Sequence, residues 1–391
     1  LHKLYYVLPP VAITSVSSFS PLGNTPDVVW KNYLQKHSLI TGKKIANNTV
    51  PVSQLPEELE QSVIRLAASD LKYKNLDRSV LLSLMASRTA VAATGWNEES
   101  NFGINIGSSR GATELFEKHY QEYLDTGRAG VQASPSTTLG NISSWVAHDL
   151  KSTGPEISHS ITCSTALHAL LNGVAWLRAG MANKFLIGGS EAPLTPFTVA
   201  QMQAMKIYSA GESGYPCRAL DLEKAISGMV LGEGAASACL ELGHNENALA
   251  YIEGVGYATE VLTHSVSISA DADCLQRSMK MAIGSCSTND IDVVVMHAPG
   301  TVKGDLSEYT AIQKVFGEKL PQLTTNKWKI GHTLGASGLL SLEFAILMMQ
   351  HNTFIGVPYL QGNFSYNKEI RKVLVNAVGF GGNAVSILLS K

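Results

Sequence analysis

Four short stretches hold residues whose types and spacing could carry covalent chemistry. In Ile161-Thr162-Cys163-Ser164-Thr165-Ala166-Leu167 a thiol stands between a strand-like run and an apolar helical one. A thiol at a helix N-terminus meets the positive end of the dipole and unpaired amides, which lower its pKa. The same amides can receive the oxyanion of a tetrahedral thioester adduct. On position alone, Cys163 reads equally as that nucleophile or as a small buried hydrophobe. Val293-Val294-Val295-Met296-His297-Ala298-Pro299-Gly300-Thr301 sets an imidazole at the carboxyl end of an apolar strand. α/β proteins put ligand sites there, although a lone histidine is more often plain core or surface. The third stretch runs from Lys327 through Gly331-His332 to Gly338, with small residues that let backbone approach a ligand and a histidine opening an apolar helix. The last, Gly379-Phe380-Gly381-Gly382, is a hinge-like run whose aromatic could gate a cavity, or a turn before the final strand.

The elements that must position these residues alternate between strand and helix. Val11 to Val16 reads as a strand, followed by a Ser20-Pro21-Leu22-Gly23-Asn24 turn and a helix from Thr25 or Asp27 to Gln35. Leu55 to Leu71, Val80 to Thr94 and Val131 to Ser152 are expected to be helical. Ile157 to Thr162 is strand-like, Ser164 to Arg178 a helix, Lys184 to Gly188 a strand, Arg218 to Gly232 a loop and Ala235 to Leu242 a strand. The plan then repeats. Strands are expected over Leu249 to Gly256, Asp292 to Met296, Phe354 to Val357 and Val385 to Leu389. Helices are expected over Asp271 to Ala282, Leu306 to Phe316 and Leu339 to Gln350. Cys163 and His332 each precede a long apolar helix and a short strand, and GEGAASACLEL (232–242) echoes GGNAVSILLS (381–390). Two similar α/β halves follow from these echoes, residues 1–243 and 244–391.

Composition bounds the function. The 391 residues are 45% hydrophobic and 16% charged, enough for two core-forming units. A net charge of -2 argues against nucleic-acid binding and leaves room for a small acidic protein partner on a local basic patch. No apolar run reaches the roughly 18 to 20 residues of a membrane span. Leu1 to Leu8 is apolar but stops at Pro9-Pro10, and reads as a lead-in to the first strand rather than a signal peptide. The five cysteines are scattered, with no CxxC and no zinc-like spacing, which points to a reducing cytoplasm. Cys217, Cys239, Cys274 and Cys286 read as buried hydrophobes.

Taken together, the motifs resemble the β-ketoacyl-[acyl carrier protein] synthases of the thiolase fold, the elongating Cys-His-His type. The resemblance spans nearly the whole chain. It starts at VAITSVSSFSPLGN (11–24) and continues through TGP (153–155), TCSTA (162–166), Cys217-Arg218 and GEGA (232–235). HAPGT (297–301), the Lys327-to-His332 spacing and GFGGNA (379–384) complete it. It implies a duplicated α/β fold with stacked mixed sheets between helix layers. It also implies that Cys163 is the nucleophile, His297 and His332 the catalytic histidines, Lys327 the supporting lysine, Glu308 the structural acid and Phe380 the gate. The second oxyanion amide would be that of Phe380, and Thr301, Arg110, Met202 and Gly381 would contact substrate. No cofactor or metal is implied, because the substrates ride on the phosphopantetheine of an acyl carrier protein, and the chain would act as a homodimer or beside a chain-length-factor-like subunit.

The chemistry accounts for the residue types. Sulfur accepts an acyl group from a thioester and later releases it. Decarboxylating a malonyl thioester makes an enolate that two neutral imidazoles can stabilise as hydrogen-bond donors. Each imidazole is then expected to have a fixed partner on its other nitrogen, and Lys327 and Glu308 to form a charged pair. Three departures bear on substrate. Pro299 replaces a hydroxyl that helps hold the phosphopantetheine arm, leaving Thr301. The loop DLEKAISG (221–228) lacks the usual Arg-Asp before its glycine. Arg110 stands where an apolar residue often lines the acyl pocket; it either marks a short, polyene or aryl-terminated acyl chain or turns to solvent or a dimer interface. A thiolase would need a second cysteine near the C-terminus, and none follows Cys286; an initiating Cys-His-Asn synthase would carry asparagine at position 332. A non-catalytic chain-length-factor-like subunit is the competing reading, and typically lacks the nucleophile.

Overall fold

The computed structural model describes residues 9–139, 141–211, 214–261, 268–360 and 368–391. The lead-in expected over Leu1 to Leu8 lies outside them. The chain opens with β1 (Val11–Phe19), α1 (Pro26–Leu34), β2 (Thr41–Ile45), β3 (Asn48–Ser53), α2 (Glu57–Ser69) and α3 (Arg78–Ala92). β4 (Gly103–Gly107), α4 (Thr113–Thr126), α5 (Ala133–Thr137), α6 (Asn141–Leu150) and β5 (Glu156–Ile157) follow. Then come α7 (Thr165–Arg178), β6 (Lys184–Glu191), α8 (Pro196–Ala204), β7 (Leu231–Gly232) and β8 (Gly234–Leu242). The second part contains β9 (Ala250–Thr259), α9 (Asp273–Ile283), β10 (Val293–Val295), α10 (Val302–Phe316) and β11 (Gln322–Thr324). It ends with α11 (Lys327–Ile330), α12 (Ser337–Gln350), β12 (Lys372–Gly379) and β13 (Asn383–Ser390).

The duplication is visible in the ladders. In the first five-strand array the order is β5-β4-β6-β8-β1, so the strands stand third, second, fourth, fifth, first in chain order. The second array, β11-β10-β12-β13-β9, has the same order. Both run parallel across their first three strands and antiparallel across the rest. The arrays meet where Val11, Ala12 and Ile13 pair with Ile252, Tyr251 and Ala250, giving one continuous ten-stranded sheet.

Three apolar cores account for the layers. In the middle one, Leu167, Leu170 and Val174 of α7 and Leu339, Leu342 and Phe344 of α12 pack with Ile187 and Leu240 from one array and Val375 and Ile387 from the other. Helix α12 is buried from Ser337 to Met349, which is why its sequence is apolar all round rather than striped. Each leucine or phenylalanine so buried contributes about 1.5–3 kcal/mol. Outside, α2, α3 and α6 cover Ile104, Ile106 and Leu186, while α9 and α10 cover Val294, Leu374 and Leu388. The result is helix, sheet, helix, sheet, helix, as the resemblance implies. Among the described residues no helix is long and apolar enough to cross a membrane.

Three expected elements differ. The strand over Ile157 to Thr162 stops at Ile157, because Thr165 Oγ1 accepts from Ile161 N (2.9 Å) and donates to Thr162 O (2.6 Å). Such local side-chain bonds compete with a ladder. The single helix over Val131 to Ser152 is two pieces, α5 and α6. Phe354 to Val357 forms no strand among the described residues; Ile355 O instead accepts Thr324 Oγ1 at 2.6 Å.

Candidate active site

Cys163 stands two residues before the first residue of α7, on a backbone held by strain and close packing. Thr162 has φ 46°, a left-handed conformation that is costly for a β-branched residue. Thr162 Oγ1 donates to Phe380 O (3.3 Å), and Ser337 Oγ at the start of α12 donates to Cys163 O (3.4 Å). The loop after β10 has Ala298 at φ 25° beside His297, and the turn after His332 has Leu334 at φ 42°. Each such residue costs on the order of 1–3 kcal/mol, and strain of this kind gathers where a site over-determines the backbone.

The structure brings the two imidazoles together at the ends of different elements. Their rings meet edge to face with centroids 5.0 Å apart, and both residues are buried. His332 N donates to Val230 O (2.6 Å), which ties that loop to β7. Burial holds the His332 imidazole down at about 3, with the Lys327 ammonium adding to the shift. Burial likewise holds His297 well below the usual histidine range, helped by His332 and Lys327. Both rings are therefore neutral at working pH, with an N–H to donate. The expected fixed partner is absent: Nδ1 of each ring is buried without a hydrogen bond among the described residues. Packing, rather than a bonded neighbour, orients them.

Lys327 and Glu308 are both buried, but not as the expected pair. Lys327 Nζ donates to Ser341 Oγ (3.3 Å) and Asn326 Oδ1 (3.5 Å), and no carboxylate lies within ion-pair range of it among the described residues. Glu308 instead accepts the backbone amides of His297 (2.9 Å) and Ala298 (2.8 Å) and Asn376 Nδ2 (3.2 Å). The acid clamps the strained loop that carries His297. Burial lowers Lys327 to about 8, opposed by the field of Glu308, and raises Glu308 to about 7 against its amide donors.

The Cys163 thiol departs from expectation in the opposite direction. It lies among Val199, Met202, Met229, Leu231 and Leu334, and that burial pushes it up to about 12, with Glu191 adding and Lys327 opposing. Desolvation outweighs the helix terminus, whose first residue is Thr165. Labelling of Cys163 by iodoacetamide, read by mass spectrometry, is thus expected to rise about tenfold per pH unit from about pH 7 to 9.5 without a plateau. A plateau near neutrality would contradict this account.

Two of the remaining candidates adjoin Cys163, Met202 through the apolar cluster and Phe380 through Thr162. Met202 packs with Cys163, and the Phe380 side chain is 40% exposed on the turn made by Gly381 (φ +94°) and Gly382 (φ +70°). Thr301 caps α10 by accepting Gly304 N (3.1 Å), which leaves its hydroxyl proton free to donate. Arg110 Nη2 donates to Gln201 Oε1. Sequence reasoning missed Glu191, a fully buried carboxylate at the end of β6. It accepts Ser108 Oγ (2.9 Å) and the amides of Ser109 (2.8 Å), Arg110 (3.1 Å) and Gly335 (2.9 Å). One side chain thereby fixes the loop after β4 to the turn after His332. A charged residue ending the buried run Lys184 to Glu191 was the available signal. Among the described residues, no group of three or more metal-ligating side chains is arranged around an ion.

Comparison with known proteins places the chain in a family. Residues 9–245 match the family model "Beta-ketoacyl synthase, N-terminal domain" and residues 243–359 match "Beta-ketoacyl synthase, C-terminal domain". The chain is 27% identical over 408 residues to 3-oxoacyl-[acyl-carrier-protein] synthase 2 of Staphylococcus aureus, covering 97% of this chain and 98% of that protein. It is 28% identical over 405 residues to Nodulation protein E of a Rhizobium species, covering 96% and 98%. In fold it is similar to the ishigamide ketosynthase/chain length factor (TM-score 0.85, 18% identity, 98% of this chain and 100% of that one). It is also similar to a β-ketoacyl synthase from Burkholderia phymatum (TM-score 0.83, 21% identity, 98% and 100%). Matched by family models across both halves, the chain belongs to the β-ketoacyl synthase family.

Proposed function

We propose that this protein joins an acyl thioester to a malonyl thioester with loss of CO2, elongating a fatty-acid, polyene or polyketide chain carried on acyl carrier protein. Cys163 in the half 1–243 takes the acyl group, and His297, His332 and Lys327 in the half 244–391 handle the malonyl unit. What carries this reading is the nearness of a thiol, two neutral imidazoles and a buried ammonium drawn from both halves: the imidazole rings meet, and the Lys327 charge acts on both of them and on Cys163. The relatives from Staphylococcus aureus, named as synthases acting on acyl carrier protein, point the same way.

In the first half-reaction Cys163 Sγ attacks the thioester carbonyl, the carrier sulfur leaves, and the thiol proton goes with it. Burial keeps Cys163 in its thiol form before substrate arrives, so its proton must be lost as the sulfur attacks. The amides of Cys163 and Phe380 receive the oxyanion. In the second half the malonyl carboxylate departs as CO2, and the electron pair moves onto the thioester oxygen. Neutral imidazole N–H groups stabilise that charge without giving up a full proton. The enolate carbon then attacks the acyl carbon, the C–S bond to Cys163 breaks, and one proton from solvent restores the thiol. Thr301 is placed in the role of steadying the phosphopantetheine arm. The enzyme works as a dimer, with itself or with a chain-length-factor-like subunit, in a reducing cytoplasm.

Incubation with a panel of acyl carrier protein thioesters is expected to add one acyl mass to Cys163 and to no other cysteine. Absence of acylation with every thioester, on folded protein, would favour the non-catalytic partner-subunit reading instead.

A further inference from the structure

One charged side chain near Cys163 has no role in the cycle above. Arg110 follows β4, on a loop pinned from both sides. Its amide donates to Glu191, which also holds Gly335 beyond His332, and Ser160 Oγ near Cys163 donates to Ser109 O (2.9 Å). The side chain reaches α8, where Nη2 donates to Gln201 Oε1. The next residue, Met202, packs against Cys163. The positive charge of Arg110 acts on the Cys163 thiol, which places Arg110 close to the apolar cluster around that sulfur.

Its guanidinium is incompletely satisfied. Nε is buried with no acceptor, and among the described residues no carboxylate lies within ion-pair range of the side chain. Glu191, the nearest acid in its bonding pattern, spends both oxygens on a hydroxyl and three amides. A guanidinium has five N–H donors and no acceptor of its own, so only an acceptor brought to it can relieve Nε. A hydrocarbon packed against it would shut out water and leave the donor unmet. A planar carboxylate would satisfy Nε and supply the missing charge.

We propose that Arg110 reads the acyl group held on Cys163 and selects chains that end in a carboxylate over hydrocarbon chains. This rests on Cys163 being the acyl carrier. The two bear different failures: no acylation by any thioester sinks both, whereas acylation with the wrong preference sinks only the Arg110 assignment.

The test pairs thioesters of equal carbon count, with and without a terminal carboxylate: succinyl against butyryl, glutaryl against pentanoyl, adipyl against hexanoyl. The readout is the rate of Cys163 acylation by mass spectrometry. In the wild type, the carboxylate-ended member of at least one pair is expected to react about tenfold or more faster. Arg110→Leu is expected to invert that preference, and Arg110→Lys, which keeps charge without the fork, to shrink it. A wild type that favours the hydrocarbon member of every pair would overturn the assignment. So would a ratio unchanged in both variants. Circular dichroism melting accompanies each variant, and should the leucine variant be unfolded, the ratio in the lysine variant decides.

Discussion

Replacing Cys163 with alanine is expected to lower condensation by about 10⁴-fold or more while leaving malonyl decarboxylation within about tenfold of wild type. In the proposed cycle the two half-reactions use different atoms, so the two losses separate. Acyl transfer has no other thiol to use: Cys217, Cys239 and Cys274 are buried in cores of their own, and Cys286 lies beside Lys372 on the far side of the second sheet array. Decarboxylation needs charge stabilisation at the thioester oxygen, and the imidazoles that would give it are held by packing, β7 and Glu308 rather than by the thiol. His332→Ala should show the converse, with Cys163 still acylated and CO2 release down by about 10²–10³-fold, the usual loss for one oxyanion donor. Removing one sulfur should cost only about 1 kcal/mol in stability, so melting stays close to wild type. Released CO2 and product formation, measured on the same sample, check both arms. Equal losses of both activities in the alanine variant would mean that the roles are not divided this way.

How much of this was legible in the sequence depends on what each residue does. The elements read correctly are those with a strong internal pattern: α3 and α9, which bury part of their surface, and the largely apolar α12. Helix α4 escaped because it has no core stripe. Only Thr113 is buried, while Phe116, Tyr120, Tyr123 and Leu124 are exposed. Strand β4 escaped because Gly103–Gly107 is buried throughout and includes two glycines, so neither alternation nor β-branched density marks it. At the candidate site, the residues with a distinctive side chain at a turn (Cys163, His297, His332) were visible. Glu191 was not, since its partners are amides at positions 109, 110 and 335 with no spacing to betray them. The pKa of Cys163 went the wrong way for a related reason. Sequence shows the helix that follows the thiol, but not the methionines and leucines that fold over it from α8, β7 and the turn after His332.

The close approach of β12 to the Cys163 loop makes Gly379 a sensitive position that carries no functional group. A Cβ there would lie 1.9 Å from Thr162 Oγ1, 2.9 Å from Ile161 O and 3.2 Å from Cys163 N. None of these atoms can retreat cheaply. Thr162 is already left-handed, and its hydroxyl donates to Phe380 O, so any shift drags the Cys163 amide and the Phe380 turn apart. Gly379→Ala is therefore expected to cost about 1–3 kcal/mol in stability through overpacking. It should also cost about 100-fold in Cys163 acylation, the penalty of an ångström-scale misplacement of a reacting group. Gly127→Ala separates the two effects. Gly127 is also left-handed (φ +67°), yet nothing lies within 4 Å of its added carbon. That variant should lose about 1 kcal/mol from backbone strain and keep its acylation rate. Thermal melts and acylation rates of the pair make the comparison. If Gly379→Ala melts like Gly127→Ala and acylates at the wild-type rate, the nucleophile loop is not held by this contact, and the strain at Thr162 must have another support.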